Sequence, residues 1–383
     1  MGMKVLVSVP GRFHAFNLAS ELSKRGYLSQ LITSYPRSVA GSFQIPLNKV
    51  NSILIGEVIR RGWGRLPAFL QGLYNPQFLV LEIFDMIAQR KIREADIAVF
   101  WPGSILRQIR KAKEMGAITI AEGSSSYVLY QHQILEEEYQ KFNIPFRGAH
   151  PKVLESVIKE YTEVDYISVP SSFVKKTFLD YGFEEKKLLL NPYGVDIEEF
   201  RQVPKEDSVF RVIFVGGMTL RKGVHYLLQA FTELNLPDAE LLLVGAFNDE
   251  IKPFFKKYEG KFRWVGHRPQ KELYKYYSQG NVFVMPSIEE GMAMVQLQAM
   301  ACGLPLICTP NTGGEDLIEE GKEGFVVPIR SVEALKEKIL FFYKNPDIAY
   351  QMGQNAKKKV EENFTWQKYG ERMVEIYKKI LNN

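Results

Sequence analysis

Residues 286–303 read PSIEEGMAMVQLQAMACG and follow the apolar run Asn281–Met285. That run is short, apolar after Asn281 and bounded by Gly280 and Pro286, as expected of a strand buried on both faces of a parallel sheet. Beyond the two acids and the glycine, Met292, Val295, Ala299 and Cys302 recur at helical spacing, and Gly303-Leu304-Pro305 stops the helix. The spacing therefore predicts Glu289, Glu290 and Gly291 at the carboxyl end of a strand and the start of a helix. Ligands of open α/β sheets bind at such places, and the free amides of a first helical turn suit a phosphate. Two acids there would repel a phosphate unless they face something else, such as sugar hydroxyls.

The same grammar repeats outward. In the second half, Val209–Val215 reads as a strand, followed by Gly216-Gly217-Met218-Thr219-Leu220-Arg221-Lys222-Gly223 and an apolar-periodic helix from Val224 to Leu234. Glycines that free backbone amides, beside Arg221 and Lys222, form a candidate phosphate cradle. Glu240–Gly245, Phe262–Gly266, Pro305–Thr309 and Gly324–Pro328 read as further strands, with Arg268 in the loop after the second of these.

The first half opens with a strand at Lys4–Val9, a turn at Pro10–His14, a helix at Ala15–Arg25 and a strand at Tyr27–Ser34, a Rossmann-like start. It lacks G-x-G-x-x-G, which argues against a nicotinamide or flavin. Gly11 could admit a ligand or simply turn the chain, and His14 could touch a substrate or cap the helix. Strands follow at Ala95–Trp101, Ala117–Ala121 and Tyr166–Pro170. After the second of these, Glu122-Gly123-Ser124-Ser125-Ser126 offers a carboxylate and three hydroxyls, for a polyol or for helix capping. Gln131, His132, Glu136, Glu137 and Glu138 read as the solvated face of a polar helix. Val58–Leu66 mixes basic and aromatic residues and reads as a helix end with a packed Trp63. Its Arg60, Arg61 and Arg65 tilt weakly towards an acceptor at a membrane surface.

The chain has 383 residues, 46% hydrophobic and 24% charged, with a net charge of +5. This implies a globular chain of two domains, suited to an anionic ligand or surface rather than to nucleic acid. The polar stretch Glu198–Asp207 marks the expected boundary: 1–200, 201–365, and a C-terminal helix at 366–383 packing back on the first domain. Two cysteines, Cys302 and Cys308, form neither a disulfide framework nor a zinc motif. With Met1 running almost directly into a strand and no 18-residue apolar window, a cytoplasmic protein is expected, peripheral at most to the membrane. The fold class is thus α/β, two Rossmann-like doubly wound domains facing across a cleft.

The motifs VPSSF (169–173), NPYGVD (191–196), GGMTLRKG (216–223), PSIEEGMA (286–293), GGEDLIEEGKEGFVVP (313–328) and FTW (364–366), in this order, carry a resemblance. The sequence resembles a GT-B glycosyltransferase of family 4, the large family of retaining, nucleotide-sugar-dependent enzymes. The resemblance covers nearly the whole chain and is strongest from Tyr166 onward. It implies that the donor binds the second half and the acceptor enters from the first, past Gly11, His14, Glu122, Ser124, Ser125 and Ser126. Lys222 and Arg221 would neutralise the diphosphate. Glu290, matching the first glutamate of an E-x7-E motif, would hold donor-sugar hydroxyls. Gly216, Gly217, Glu289, Gly291, Met292, Ala293 and Arg268 would line the donor, with amides at 291–293 on phosphate oxygens.

Three departures accompany the resemblance. The second glutamate of the motif is Gln298, whose carbonyl could still accept a ribose hydroxyl. The arginine frequent after the first glycine of the phosphate loop is Gly217. The histidine common near Ser126 is missing. No cofactor or metal is required by the sequence. UDP- or GDP-sugars are the favoured donors, and glycan, lipid-linked or small-molecule acceptors all stay open. A non-catalytic partner subunit and a sugar-nucleotide epimerase are the alternatives, because one fold hosts many functions.

Overall fold

The structure is a computed structural model that describes residues 2–63, 65 and 76–382, without the side chains of Arg60 and Arg61. Strands β1 (Val5–Val9), β2 (Leu28–Thr33), β3 (Val50–Ser52), β4 (Ile97–Phe100), β5 (Ile118–Glu122), β6 (Tyr166–Val169) and β7 (Leu188–Leu190) form one parallel sheet. Its order is β3-β2-β1-β4-β5-β6-β7. A second parallel sheet, ordered β10-β9-β8-β11-β12-β13, contains β8 (Phe210–Val215), β9 (Ala239–Val244), β10 (Arg263–Trp264), β11 (Val282–Met285), β12 (Leu306–Cys308) and β13 (Gly324–Val326). Every residue of β1 and β8 is buried, which accounts for their near-continuous apolar sequence.

Each sheet reverses its strand order beside its first strand. β1 lies between β2 and β4, and β8 lies between β9 and β11. The loops leaving β1, β8 and β11 therefore open into crevices at the strands' carboxyl ends. Those loops are Pro10–His14, Gly216–Gly223 and Pro286–Ala293, so topology alone gathers the candidate motifs.

The chain passes between the halves at Tyr193–Phe200 and returns at Thr365, where Val195 bridges to Thr365. The last helix, Trp366–Leu381, lies on the first half. Arg372 donates to Asn191 and Pro192, and Arg25 donates to the carbonyl of Gln367. A Cβ on Gly370 would sit 2.6 Å from Glu21 Cβ, so glycine permits this approach. Between β2 and β4, the helices Arg37–Gly41, Ile55–Trp63 and Gln77–Ala88 occupy a stretch with no clear period in the sequence.

The helix expected from the opening motif begins later than its apolar spacing suggests. It spans Met294–Ala301, with Ala293 still extended. The amide of Glu290 donates to the Asn311 carbonyl at 2.9 Å and that of Ala293 to the Thr312 carbonyl at 3.2 Å. These bonds hold 290–293 as a loop against the segment after β12, so Glu290 and Gln298 do not share a helix face.

Candidate functional site

The loops Gly216–Gly223 and Pro286–Ala293, expected at the donor, are laced together. Ile288 donates its amide to the Arg221 carbonyl at 2.8 Å. Gly223 has φ +65°, and a Cβ there would lie 2.0 Å from the carbonyl oxygen of Pro286, so only glycine fits the crossing. This sets Arg221 and Lys222 opposite the two acids. Lys222 Nζ lies 2.5 Å from Glu290 Oε1, and Arg221 Nη2 lies 3.7 Å from the same oxygen. The lysine contact is one of charge without hydrogen-bond alignment, since Oε1 has no aligned donor. The pair is largely withdrawn from water, which strengthens such contacts.

Glu289 behaves differently from its neighbour. It is wholly buried, and both of its oxygens are used by the protein. Oε1 accepts from the amide and hydroxyl of Ser126 at 3.1 and 2.6 Å. Oε2 accepts from Gln131 Nε2 and Arg221 Nε, both at 2.9 Å. The expectation that Glu289 lines the donor sugar is thereby corrected: its carboxylate ties the two halves together. Gly291 sits in the same seam, where a Cβ would lie 1.9 Å from the Ser124 carbonyl oxygen. Ser171 Oγ donates to the Gly291 carbonyl at 2.7 Å.

Contacts place the further residues expected at the donor. Ala293 has its amide engaged by Thr312, so it is not available to a phosphate. The amides of Gly217, Gly291 and Met292 have no partner among the described residues and can donate to an anion. Gln298 accepts the Tyr277 hydroxyl on its carbonyl oxygen at 2.9 Å, within the core, so one of the two lone pairs foreseen for a ribose is taken. Arg268 is half-buried, its guanidinium 5.8 Å from the Tyr276 ring centroid and its Nε unpartnered. Gly216 turns the chain out of β8 with φ +158°.

On the acceptor side, Glu122 is the last residue of β5 rather than part of the following loop. His14 lies before the first helix but makes no side-chain cap, which removes the capping alternative. Its ring is buried among Trp101, Tyr193 and Tyr369, with centroids 4.9, 4.3 and 6.4 Å away. Its Nε2 is 3.2 Å from Glu122 Oε2. Glu122 Oε1 is buried without a partner, as are Trp101 Nε1 and the hydroxyls of Tyr193, Tyr369 and Tyr377. Burial pushes all three tyrosine hydroxyls up, and the charge of Glu122 adds to the effect. Ser124 and Ser125 are half-buried at the seam, and Gly11 is buried with its carbonyl accepting from Thr33 Oγ1 at 2.7 Å.

The polar helix Val128–Lys141 is not a solvated face throughout. Gln131 reaches Glu289, and Glu138 is wholly buried, accepting from His225, Tyr226 and Arg330 of the second half. His132, Glu136 and Glu137 do face solvent. The sequence offered no local signal for Glu138, because its partners lie 87 to 192 residues away. Asn311 was also missed: its Nδ2 donates to the Ile288 carbonyl at 2.8 Å and so shapes the donor loop. Of the basic group at the surface, Arg65 is exposed, while the side chains of Arg60 and Arg61 lie outside the described residues. Among the described residues no three His, Cys, Asp or Glu side chains are grouped to hold a metal ion, and no helix is long and apolar enough to cross a membrane.

Comparison with known proteins fits this geometry. Residues 195–359 match the family model of glycosyl transferases group 1. A capsular polysaccharide biosynthesis glycosyltransferase, CapM of Staphylococcus aureus, is 29% identical over 246 residues, 58% of this chain. The match spans 64% of CapM, under two thirds of its length. Sucrose-phosphate synthase of Thermosynechococcus elongatus superposes with a TM-score of 0.75 at 19% identity, over 99% of both chains. Anabaena HepE in complex with UDP gives 0.72 at 14% identity, over 98% of this chain and 100% of that one. The second half thus resembles the group 1 glycosyl transferases, and the two facing parallel-sheet halves have the GT-B fold of the solved structures on which they superpose.

Proposed function

We propose that the protein is a retaining glycosyltransferase that moves a sugar from a nucleotide-diphosphate sugar to an acceptor hydroxyl, in the synthesis of a polysaccharide, glycolipid or other glycoconjugate. The observation that carries this reading is the Lys222–Glu290 pair, a cation and a carboxylate 2.5 Å apart at the carboxyl ends of β8 and β11. A diphosphate entering there replaces Glu290 as the partner of Lys222 and frees the carboxylate for sugar hydroxyls. As the sugar–phosphate bond breaks, negative charge grows on the departing diphosphate and positive character on the sugar. Lys222, Arg221 and the unpartnered amides of Gly217, Gly291 and Met292 stabilise the former. The acceptor hydroxyl attacks from the leaving-group face, and its proton passes to the departing phosphate oxygen. UDP- and GDP-sugars are the donors to try first, since UDP is bound in the Anabaena relative. The acceptor enters past Gly11, His14, Glu122 and Ser124–Ser126. Peripheral contact with a membrane at the Arg65 surface belongs to this reading where the acceptor is lipid-linked.

The test is thermal unfolding with UDP, GDP and ADP and their sugar conjugates, with and without magnesium. A ligand at about 100 times its Kd stabilises by roughly 2.7 kcal/mol, a rise of several degrees. With the donor known, Lys222→Ala and Glu290→Ala should each lower transfer by about 10²–10³-fold. Inverted product would end the retaining part of the proposal. The occupied carbonyl of Gln298 favours a second reading, a non-catalytic partner subunit. A folded protein unmoved by every nucleotide would bring that reading forward.

A further inference from the structure

We infer that Glu289 is a positioning residue that makes the placement of Arg221 depend on docking of the acceptor loop; this rests on the donor reading above. A buried carboxylate needs its lone pairs filled, because desolvation of the charge is otherwise uncompensated. Glu289 is wholly buried and receives four hydrogen bonds, three of them from the first half: Ser126 N, Ser126 Oγ and Gln131 Nε2. The fourth comes from Arg221 Nε, which also donates to the Glu289 carbonyl at 3.1 Å. Holding a guanidinium by its Nε side leaves the outer nitrogens directed onward, and Nη2 lies 3.7 Å from Glu290 Oε1 in the proposed donor site. Arg221 therefore reaches the donor side with its orientation fixed by a carboxylate that the acceptor side completes.

The surrounding backbone enforces the dependence. The Gly291–Ser124 approach and the Ser171 bond to the Gly291 carbonyl seat the loop of Glu289 on the loop of Ser126. Withdrawal of the first half would strip Glu289 of three donors and leave Arg221 as its sole partner. The arginine would then turn both its faces towards Glu289 and away from the diphosphate. Ser126 thus influences leaving-group stabilisation without being assigned any contact with it.

The experiment compares, by calorimetry on the full chain, the affinity for a nucleoside diphosphate with that for the same nucleoside without phosphate. The base is the one selected by the unfolding screen. Glu289→Gln should weaken diphosphate binding about tenfold and leave the nucleoside unchanged, because a charge-assisted hydrogen bond is lost only from the phosphate contact. Ser126→Ala, the milder variant should Glu289→Gln fold poorly, should weaken it about threefold. Both effects should vanish in an Arg221→Ala background, which a general loosening of the structure would not produce. Equal loss for nucleoside and diphosphate, or an effect of Ser126→Ala that survives removal of Arg221, overturns the inference. Failure of the unaltered protein to bind any nucleotide would instead overturn the donor reading, and this inference with it.

Discussion

Glu138 and Glu122 both belong to the first half of the chain and both are withdrawn from water, at 0% and 2% exposure. Their surroundings are opposite. Glu138 accepts from His225 Nε2 at 3.0 Å, Tyr226 hydroxyl at 2.8 Å and Arg330 Nε at 2.6 Å, all from the second half. Burial pushes its pKa up, but those hydrogen bonds more than offset this and hold it below the ordinary glutamate range. Glu122 has one oxygen 3.2 Å from His14 Nε2 and the other with no partner, amid three unpartnered tyrosine hydroxyls. A saturated buried carboxylate acts as a joint between halves. A half-filled one at the carboxyl end of β5 keeps a lone pair for water or for a hydroxyl that enters from outside.

The strongest way to break this comparison is to remove each carboxylate. Glu138→Ala would leave Arg330 and His225 facing an empty, buried space. Breaking a buried pair from one side costs about 3–5 kcal/mol, or a fall in Tm of roughly 10 °C for domains of this size. Glu122→Gln keeps a group able to bond His14 and removes a charge that lacks its donors. It should change stability by less than about 1 kcal/mol. Thermal unfolding of both variants at neutral pH decides the matter. Similar losses at the two positions would mean that the chamber around Glu122 is as fully bonded as the seam around Glu138.

The contrast also marks what the sequence could reveal. Strand-end loops were legible because each follows an unbroken apolar run and carries glycines with charged residues: Gly216–Gly223 after β8, Pro286–Ala293 after β11. Gly291 was expected to line the donor, and nothing in the sequence foretold that a Cβ there would meet the Ser124 backbone. Motif position singled out Glu290, but nothing local showed that Glu289 is taken up by the protein, because its partners include a serine and a glutamine more than 150 residues away. The stretch 35–94 failed for another reason. Its helices Arg37–Gly41 and Ile55–Trp63 are short and surround the three-residue strand β3, too little to establish a period. Gln298 was placed as a ligand contact on motif position alone, without sight of the buried Tyr277 that occupies it.

A second test sharpens the comparison at that position. Gln298→Glu would create a further buried carboxylate, given one donor by Tyr277 and so half-filled in the manner of Glu122. The free protein should lose about 1–2 kcal/mol, since the new charge is desolvated with one partner. A bound ribose hydroxyl would supply the missing donor, so nucleotide affinity should rise about fivefold. Calorimetry and unfolding on one preparation read both effects. Tighter binding without lost stability would show that the site is wetter than its 7% exposure suggests.

The smallest expected effect is a slope rather than a step, and it probes the saturated member of the pair. Burial pushes the His225 imidazole below its ordinary range, with the hydrogen bond and charge of Glu138 only partly opposing it. Glu250 and Lys141 also act on it, and the rings of Phe142, Tyr226 and Phe254 enclose it. The unfolded chain therefore takes up a proton at this residue before the folded one does. Stability is fully present above about pH 6.5 and falls as pH drops from there towards the lower folded value. The fall is limited to about 1.4 kcal/mol per pH unit for one group. Glu138 is itself held below the ordinary glutamate range, and loss of its charge in acid weakens the same seam. His225→Gln keeps a donor for Glu138 but cannot titrate, so its Tm should decline less than that of the unaltered protein between pH 7 and 5. Parallel Tm curves for the two would mean that the acid-sensitive group lies elsewhere and that the Glu138 joint holds through this range without help from a neutral imidazole.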